Sequence, residues 1–206
     1  MPLRRIPYKR LEPLVRNYLS TREESEATGL IRQLRTARLR GYVMPEELEA
    51  VCYWKSPRAI RHIRANGAGR VRSATGAALR SRSERKRLEA LTSLRGVSVP
   101  MASALLTLLD PKRYGVIDIR VWQLLHKLGT VKKNPGGVGF KFRNWYQFLM
   151  IIRHFAKKFG VKARDIERTL FLVHKEYQAG RLYDAGKLGK PDTRPSPARG
   201  GGVRMR

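Results

Sequence analysis

The chain has a single cysteine, Cys52, in 206 residues. That excludes an intrachain disulfide, a four-thiolate iron–sulfur cluster and a zinc site built on cysteine. Cys52 itself reads as a small buried hydrophobe. Histidine is scarce too: His62, His126, His154 and His174 stand far apart without ligand spacing, so no metal site is expected. No apolar run is long enough to span a bilayer, and the opening Met1-Pro2-Leu3-Arg4-Arg5 carries no signal-type apolar stretch. The expectation is therefore no membrane partner and a location inside the cell, cytoplasmic and nucleoid-associated, or nuclear in a eukaryote. Acids are the most conspicuous shortage, with 16 Asp+Glu against 44 Lys+Arg and a formal charge of +28.

Such an excess is far beyond what solubility requires and calls for a polyanionic partner. Nucleic acid is the expected one, because each neutralised phosphate releases counterions whatever the base sequence. The Gly/Pro/Arg-rich residues 180–206 cannot build a core and carry only +5, leaving +23 on residues 1–179. The basic character thus belongs to the folded body, read as one domain over 1–179 with a disordered or extended basic tail over 180–206. A 42% hydrophobic content supplies a real core, and the size suits one compact unit or two small lobes. A monomer is expected.

Helical punctuation runs throughout, and no alternating strand pattern of useful length occurs. Thr21 to Glu24 reads as a capping box before Ala27, Leu30, Ile31 and Leu34, with Gly41 as the stop. Pro45 opens a second helix, Ser56-Pro57 a third that ends at Asn66-Gly67, and a weaker helix covers 69–80. Ser81 to Glu84 reads as another capping box, ahead of Leu88, Leu91 and Leu94. Met101 to Leu109 marks the next helix, Asp118 caps one holding Val121, Trp122 and Leu125, and the longest stripe runs from Trp145 to Phe159. Ile166, Leu170, Val173 and Tyr177 form the last. Between them, 130–143 reads as a flexible Gly-rich basic loop, since no strand precedes Gly136-Gly137-Val138-Gly139 to make it a nucleotide-binding turn.

The informative stretch is Leu88 to Leu125. Two helices joined by Leu94-Arg95-Gly96-Val97-Ser98 would aim backbone N–H groups and a helix N-terminus at a phosphate. About twenty residues on comes Val116-Ile117-Asp118-Ile119-Arg120-Val121-Trp122. Hairpin and aspartate at this spacing resemble the helix-hairpin-helix DNA glycosylase superfamily, over about forty residues with the hairpin at 84–109. The resemblance implies an all-α fold in two helical lobes flanking a cleft, and excision of a damaged or modified base flipped out of DNA. Asp118 would be the catalytic carboxylate. It departs from the family in two places: Ser98 stands where the second hairpin glycine usually sits, and Pro100 stands where bifunctional members carry a Schiff-base lysine. The implied chemistry is monofunctional hydrolysis, with no cofactor beyond an optional monovalent cation at the hairpin.

The DNA contacts expected from this reading are Arg95, Gly96, Val97, Ser98, Val99 and Arg120. Arg82, Arg85 and Lys86 join them, from the cluster Arg80, Arg82, Arg85, Lys86 and Arg87 that leads into the hairpin. Tyr114, Trp122, Trp54 and Lys55 are pocket candidates. Trp122 falls on an apolar stripe and suits the core better; Trp54, in Trp54-Lys55-Ser56-Pro57-Arg58, also reads more simply as core. Lys55 would matter chemically only if the fold brought it beside Asp118. A non-catalytic nucleic-acid clamp is the alternative function, and an abasic-site lyase using an unidentified amine is a third.

Overall fold

The computed structural model describes residues 3–179 and Leu182; the expected tail otherwise lies outside the described residues. Those residues are all-α. In order they form α1 (Leu11–Tyr18), α2 (Ser25–Arg40), α3 (Pro45–Lys55), a 3-10 turn (Pro57–Ala59), α4 (Ile60–Arg64), α5 (Ala68–Arg80), α6 (Glu84–Thr92), α7 (Val99–Leu109), α8 (Ile119–Lys127), α9 (Phe142–Phe159) and α10 (Ala163–Tyr177). The one extended pairing is an antiparallel bridge between Leu3 and Gln178. Among the described residues no helix is long and apolar enough to cross a membrane.

Local chemistry sets most of the boundaries. Gly41 and Gly160 close α2 and α9 in the left-handed conformation, each returning its N–H to a carbonyl of the last turn. Pro45 opens α3, and Glu47 reaches back to accept the Met44 N–H at 2.7 Å. Two expected capping boxes are corrected. Helix α2 starts at Ser25 after Glu24, so Thr21 caps nothing. At α6 the cap is Ser83, whose hydroxyl accepts from the Lys86 N–H; Ser81 sits outside, and the Glu84 side chain is drawn away by Arg87, Arg113, Arg153 and Tyr114.

The helices pack as two groups around a continuous core. In the first, α2 lies on α3 and α7, and α5 and α7 flank α6; in the second, α10 lies on α1, α8 and α9. Helix α9 joins them through α6 and α7, its stripe sealing Trp145, Phe148, Leu149 and Ile152 from solvent. Every residue of α7 from Met101 to Leu109 is buried, which makes it the central helix. Each large apolar side chain so enclosed contributes about 1.5–3 kcal/mol. The link from Leu109 to Asp118 carries the chain from one group to the other.

Candidate functional site

Asp118 ends that link. Its backbone is extended (φ −146°), and its Oδ1 accepts the Val121 N–H at 3.0 Å, capping α8. The residues before it are held from both sides. The Ser103 hydroxyl donates to the Pro100 carbonyl at 2.8 Å and accepts the Ile117 N–H at 3.1 Å, tying the aspartate segment to the first turn of α7. Gly115 lies against α10 so closely that a Cβ there would stand 2.7 Å from the Glu167 Cβ and 2.8 Å from the Ile152 Cδ1. The carboxylate is thereby fixed relative to the hairpin.

The hairpin turn is built for close approach. Gly96 has φ +79°, and a Cβ on it would meet the His62 Cβ at 2.9 Å and the Ile63 N at 3.1 Å, so both conformation and space demand glycine. Asn66 clamps the turn: its Oδ1 accepts the Arg95 N–H at 2.9 Å while its Nδ2 donates to the carbonyls of Arg95 and Ile63 at 2.9 and 2.8 Å. Ser98 has φ −76°, an ordinary value, so replacing the usual glycine there carries no strain. Its side chain does not cap α7, so of the first turn only the Val99 and Met101 N–H groups are left for an anion, Pro100 having none and Ala102 donating to the Ser98 carbonyl.

Asp118 and the turn open on one cleft of about 600 Å³, walled by Lys55, Arg58 and Ala59, by Gly96 and Ser98 to Met101, by Ile119 and Arg120, and by Gly137 to Phe140. The volume falls within the ordinary range of ligand pockets. Lys55, at the last turn of α3, brings its Nζ to 3.5 Å from the Asp118 Oδ2, with 20% and 15% of the two side chains exposed. A cation and an anion thus meet at the cleft wall, each still open to solvent.

The loop that forms the far wall is ordered, contrary to the flexible loop expected from its glycines. Trp122 Nε1 donates to the Asn134 carbonyl at 2.8 Å and Gln123 Nε2 to the Gly136 carbonyl at 3.2 Å. Asn134 (φ +60°) returns its side-chain amide to the Val138 carbonyl at 2.8 Å. Gly137, at φ +65°, lies where a Cβ would be 3.2 Å from the Ile119 carbonyl oxygen. The glycines serve tight contact with α8, and Val138 is left projecting at the cleft rim, 59% exposed.

Behind Asp118 lies a smaller cavity of about 280 Å³ lined by Trp54, Lys55, Asp118, Glu167, Arg168 and Phe171 among others. Glu167 is fully enclosed and paired with Arg164, which also grips Glu23 at 2.8 and 3.0 Å. Burial pushes the Glu167 pKa up, and the neighbouring Asp118 charge adds to the rise against the pull of Arg164. His174, buried next to Gln123 at 3.2 Å, is pushed down to about 4 by burial and then by Arg120, so it is neutral at physiological pH.

The structure sorts the expected site residues. Asp118, Lys55, Gly96, Ser98, Val99 and Arg120 meet at the cleft; Arg95 is exposed beside it, whereas Val97 is buried under the turn. Tyr114 is not in the pocket: it is buried, stacks on Trp145 and donates to Glu84 at 3.0 Å. Trp122 is likewise core, as its stripe indicated. Trp54 reaches only the smaller cavity, under the Arg164 guanidinium at 5.6 Å. Arg82, Arg85 and Lys86 are exposed but sit at the start of α6, roughly 13 Å of helix away from the turn, with Arg85 over the Phe142 ring at 4.2 Å. Arg87 is buried and donates to Glu84 and to the carbonyls of Ala78 and Ser81. Asn66, Ser103 and Glu167 were not foreseen, since each acts on a residue well separated along the chain. Arg58 had a signal, its place in the Trp54–Arg58 segment.

Among the described residues no group of His, Cys, Asp and Glu is arranged to hold a metal ion. The chain matches no protein-family model, and no curated protein or solved structure is significantly similar to it.

Proposed function

We propose that this protein is a DNA N-glycosylase of the helix-hairpin-helix type, which hydrolyses the bond between a damaged or modified base and its sugar using Asp118. One observation carries the reading: the carboxylate stands in an open cleft of about 600 Å³ beside the hairpin turn, where side chains could instead have filled the space over it. A carboxylate that merely capped α8 would need no such cleft.

The turn around Gly96 and the uncapped start of α7 would receive a phosphate of the strand, with Arg58, Arg95 and Arg120 adding charge. A nucleotide turned out of the stack would enter the cleft with its C1′ facing Asp118. As the C1′–N bond breaks, the base leaves with the electron pair and positive charge grows on the sugar. The Asp118 Oδ2 would stabilise that charge and orient the water that adds to C1′. Oδ1 is held by the Val121 N–H, which fixes the carboxylate's orientation. The test is a panel of duplexes carrying different base lesions, assayed for released base with the wild-type chain and with Asp118→Asn. Release abolished in the variant supports the proposal; release at the parent rate refutes it.

The position of Lys55 favours a second reading. Its amine stands 3.5 Å from the Asp118 Oδ2 and would act where Pro100 cannot. Attack by the neutral amine at C1′ would expel the base with its bonding electrons; loss of an amine proton and cleavage of the C1′–O4′ bond, O4′ leaving as a hydroxyl, would give a protonated imine, and loss of the C2′ proton would then eject the 3′-phosphate. Borohydride trapping on abasic duplex distinguishes the two readings: a covalent adduct lost in Lys55→Gln supports the lyase, and no adduct leaves hydrolysis alone.

A further inference from the structure

The largest cavity described on the molecule lies outside the Asp118 cleft. It is a groove of about 690 Å³ between α2, the Leu109–Arg113 link and the start of α10, lined by Arg32, Arg35, Arg38, Lys112, Arg113, Lys162 and Arg164 against Glu23, Asp110 and Asp165. It shares no lining residue with the Asp118 cleft. The cleft lies at the N-terminal end of α7 and the groove at its C-terminal end, separated by roughly 16 Å of helix.

Its charges are unevenly used. All three acids are committed: Glu23 to Arg164 and Arg168, Asp110 to Arg38 at 3.6 Å, and Asp165 to the Lys162 N–H at the head of α10. Arg32, Arg35, Lys112 and Lys162 are exposed and make no ion pair among the described residues. Four unpaired cations thus rim a concave surface on which Glu23 and Asp110 are already paired with arginines and the Asp165 carboxylate is held by a backbone N–H. No aromatic side chain lines it, so nothing there would stack on a base or on a nucleotide ring. Recognition would be of phosphate alone, and Arg32 and Arg35, one helical turn apart, suit a repeating anion better than a single one.

We propose that this groove binds the phosphate backbone of a second DNA duplex, so that one chain bridges two duplexes, one at the cleft and one at the groove. The inference assumes that the cleft binds DNA but makes no use of the chemistry at Asp118. The groove shares no lining residue with the cleft, so its phosphate contacts would be additional to those at the hairpin turn. This also gives a role to part of the +28 charge that the cleft leaves unexplained.

The experiment mixes two short undamaged duplexes, one with a donor dye and one with an acceptor, with substoichiometric protein, and measures energy transfer together with complex mass. The expected result is transfer from a complex of one chain and two duplexes. The triple variant Arg32→Gln, Arg35→Gln, Lys112→Gln should lose bridging about tenfold or more, with the salt slope of the second binding step reduced by about 0.9 per lost contact. Binding of the first duplex should be unchanged, as should the thermal melting of the variant; Lys162→Gln alone should show a smaller loss of the same kind. Complexes of only one duplex per chain, bridging that requires two chains, or bridging that survives the triple variant would overturn the proposal. So would groove-dependent binding of phosphatidylserine vesicles with no groove-dependent binding of DNA. If no lesion is ever excised but the triple variant still loses bridging, the glycosylase reading fails and the groove stands.

Discussion

At the start of α6, the side chains of Arg87, Arg113 and Arg153 converge on the single carboxylate of Glu84, at 2.8, 3.2 and 2.8 Å. At the other end of the same hairpin, Arg58 and Arg95 stand exposed beside the Gly96 turn with no acidic partner among the described residues. Both ends are basic in the sequence, but only at the start of α6 are several arginines tied to one acid, while Arg82 and Lys86 beside them stay exposed. Burial works to raise the Glu84 pKa, but the guanidiniums of Arg153 and Arg87 overcome it and hold the carboxyl below its ordinary value. The first end is a structural knot, whereas the second leaves its arginines open to solvent. Counting arginines along the chain does not separate the two.

Cutting the knot should have the largest effect. Glu84→Gln leaves Arg87, with 8% of its side chain exposed, without its counter-charge, and should cost about 3–5 kcal/mol in chemical denaturation. Because the folded-state pKa is depressed, the Glu84 contribution is present above the unfolded value of about 4.3 and is lost as pH falls below it. The acid limb of the wild-type stability curve should therefore flatten in the variant. A loss under 1 kcal/mol would mean that the cluster is as weak as an ordinary surface pair.

At the turn, Gly96→Ala combines left-handed strain of about 1–2 kcal/mol with close contact to His62 and Ile63. It should destabilise by about 3 kcal/mol and weaken DNA binding further, whereas an unchanged melting temperature would show that the backbone escapes the strain. Asn66→Ala, which leaves the part-buried Arg95 N–H without its acceptor, should cost about 1–3 kcal/mol, with DNA affinity falling in step. The smallest effect compares the two ends directly. Arg58→Gln should lower the salt slope of DNA binding by about 0.9, and Arg85→Gln, tied over Phe142 and to Glu89 at 3.6 Å, should leave it unchanged. The reverse result would move the binding surface to the start of α6.

The same contrast shows what could be read before folding. Prolines, glycines and apolar stripes act within one turn of helix, so Pro45, Gly41, the Asp118 cap and the Trp145–Phe159 stripe stand where expected. Capping boxes misled twice: α2 starts only after Glu24, and Glu84 is drawn away by Arg87 three residues on and by the remote Arg113 and Arg153. Helix α1 went unnoticed because eight residues containing Pro13 give a short stripe, and its stability comes from packing on α10. The loop over 130–143 looked flexible because its restraints come from Trp122 and Gln123. Within the site, the hairpin and Asp118 were legible as a motif. The Lys55 approach, the Asn66 clamp and the Ser103 tie depend on how separate helices pack, and so does the burial of Tyr114 against Trp145.

The account stands on what the Asp118 carboxylate does in its cleft. Single-turnover release of a lesion base, measured at saturating protein for the wild-type chain and for Asp118→Asn with equal duplex binding, tests it most directly. The expected result is a rate lowered by about 10² or more with affinity preserved. Equal rates in the two proteins would contradict it.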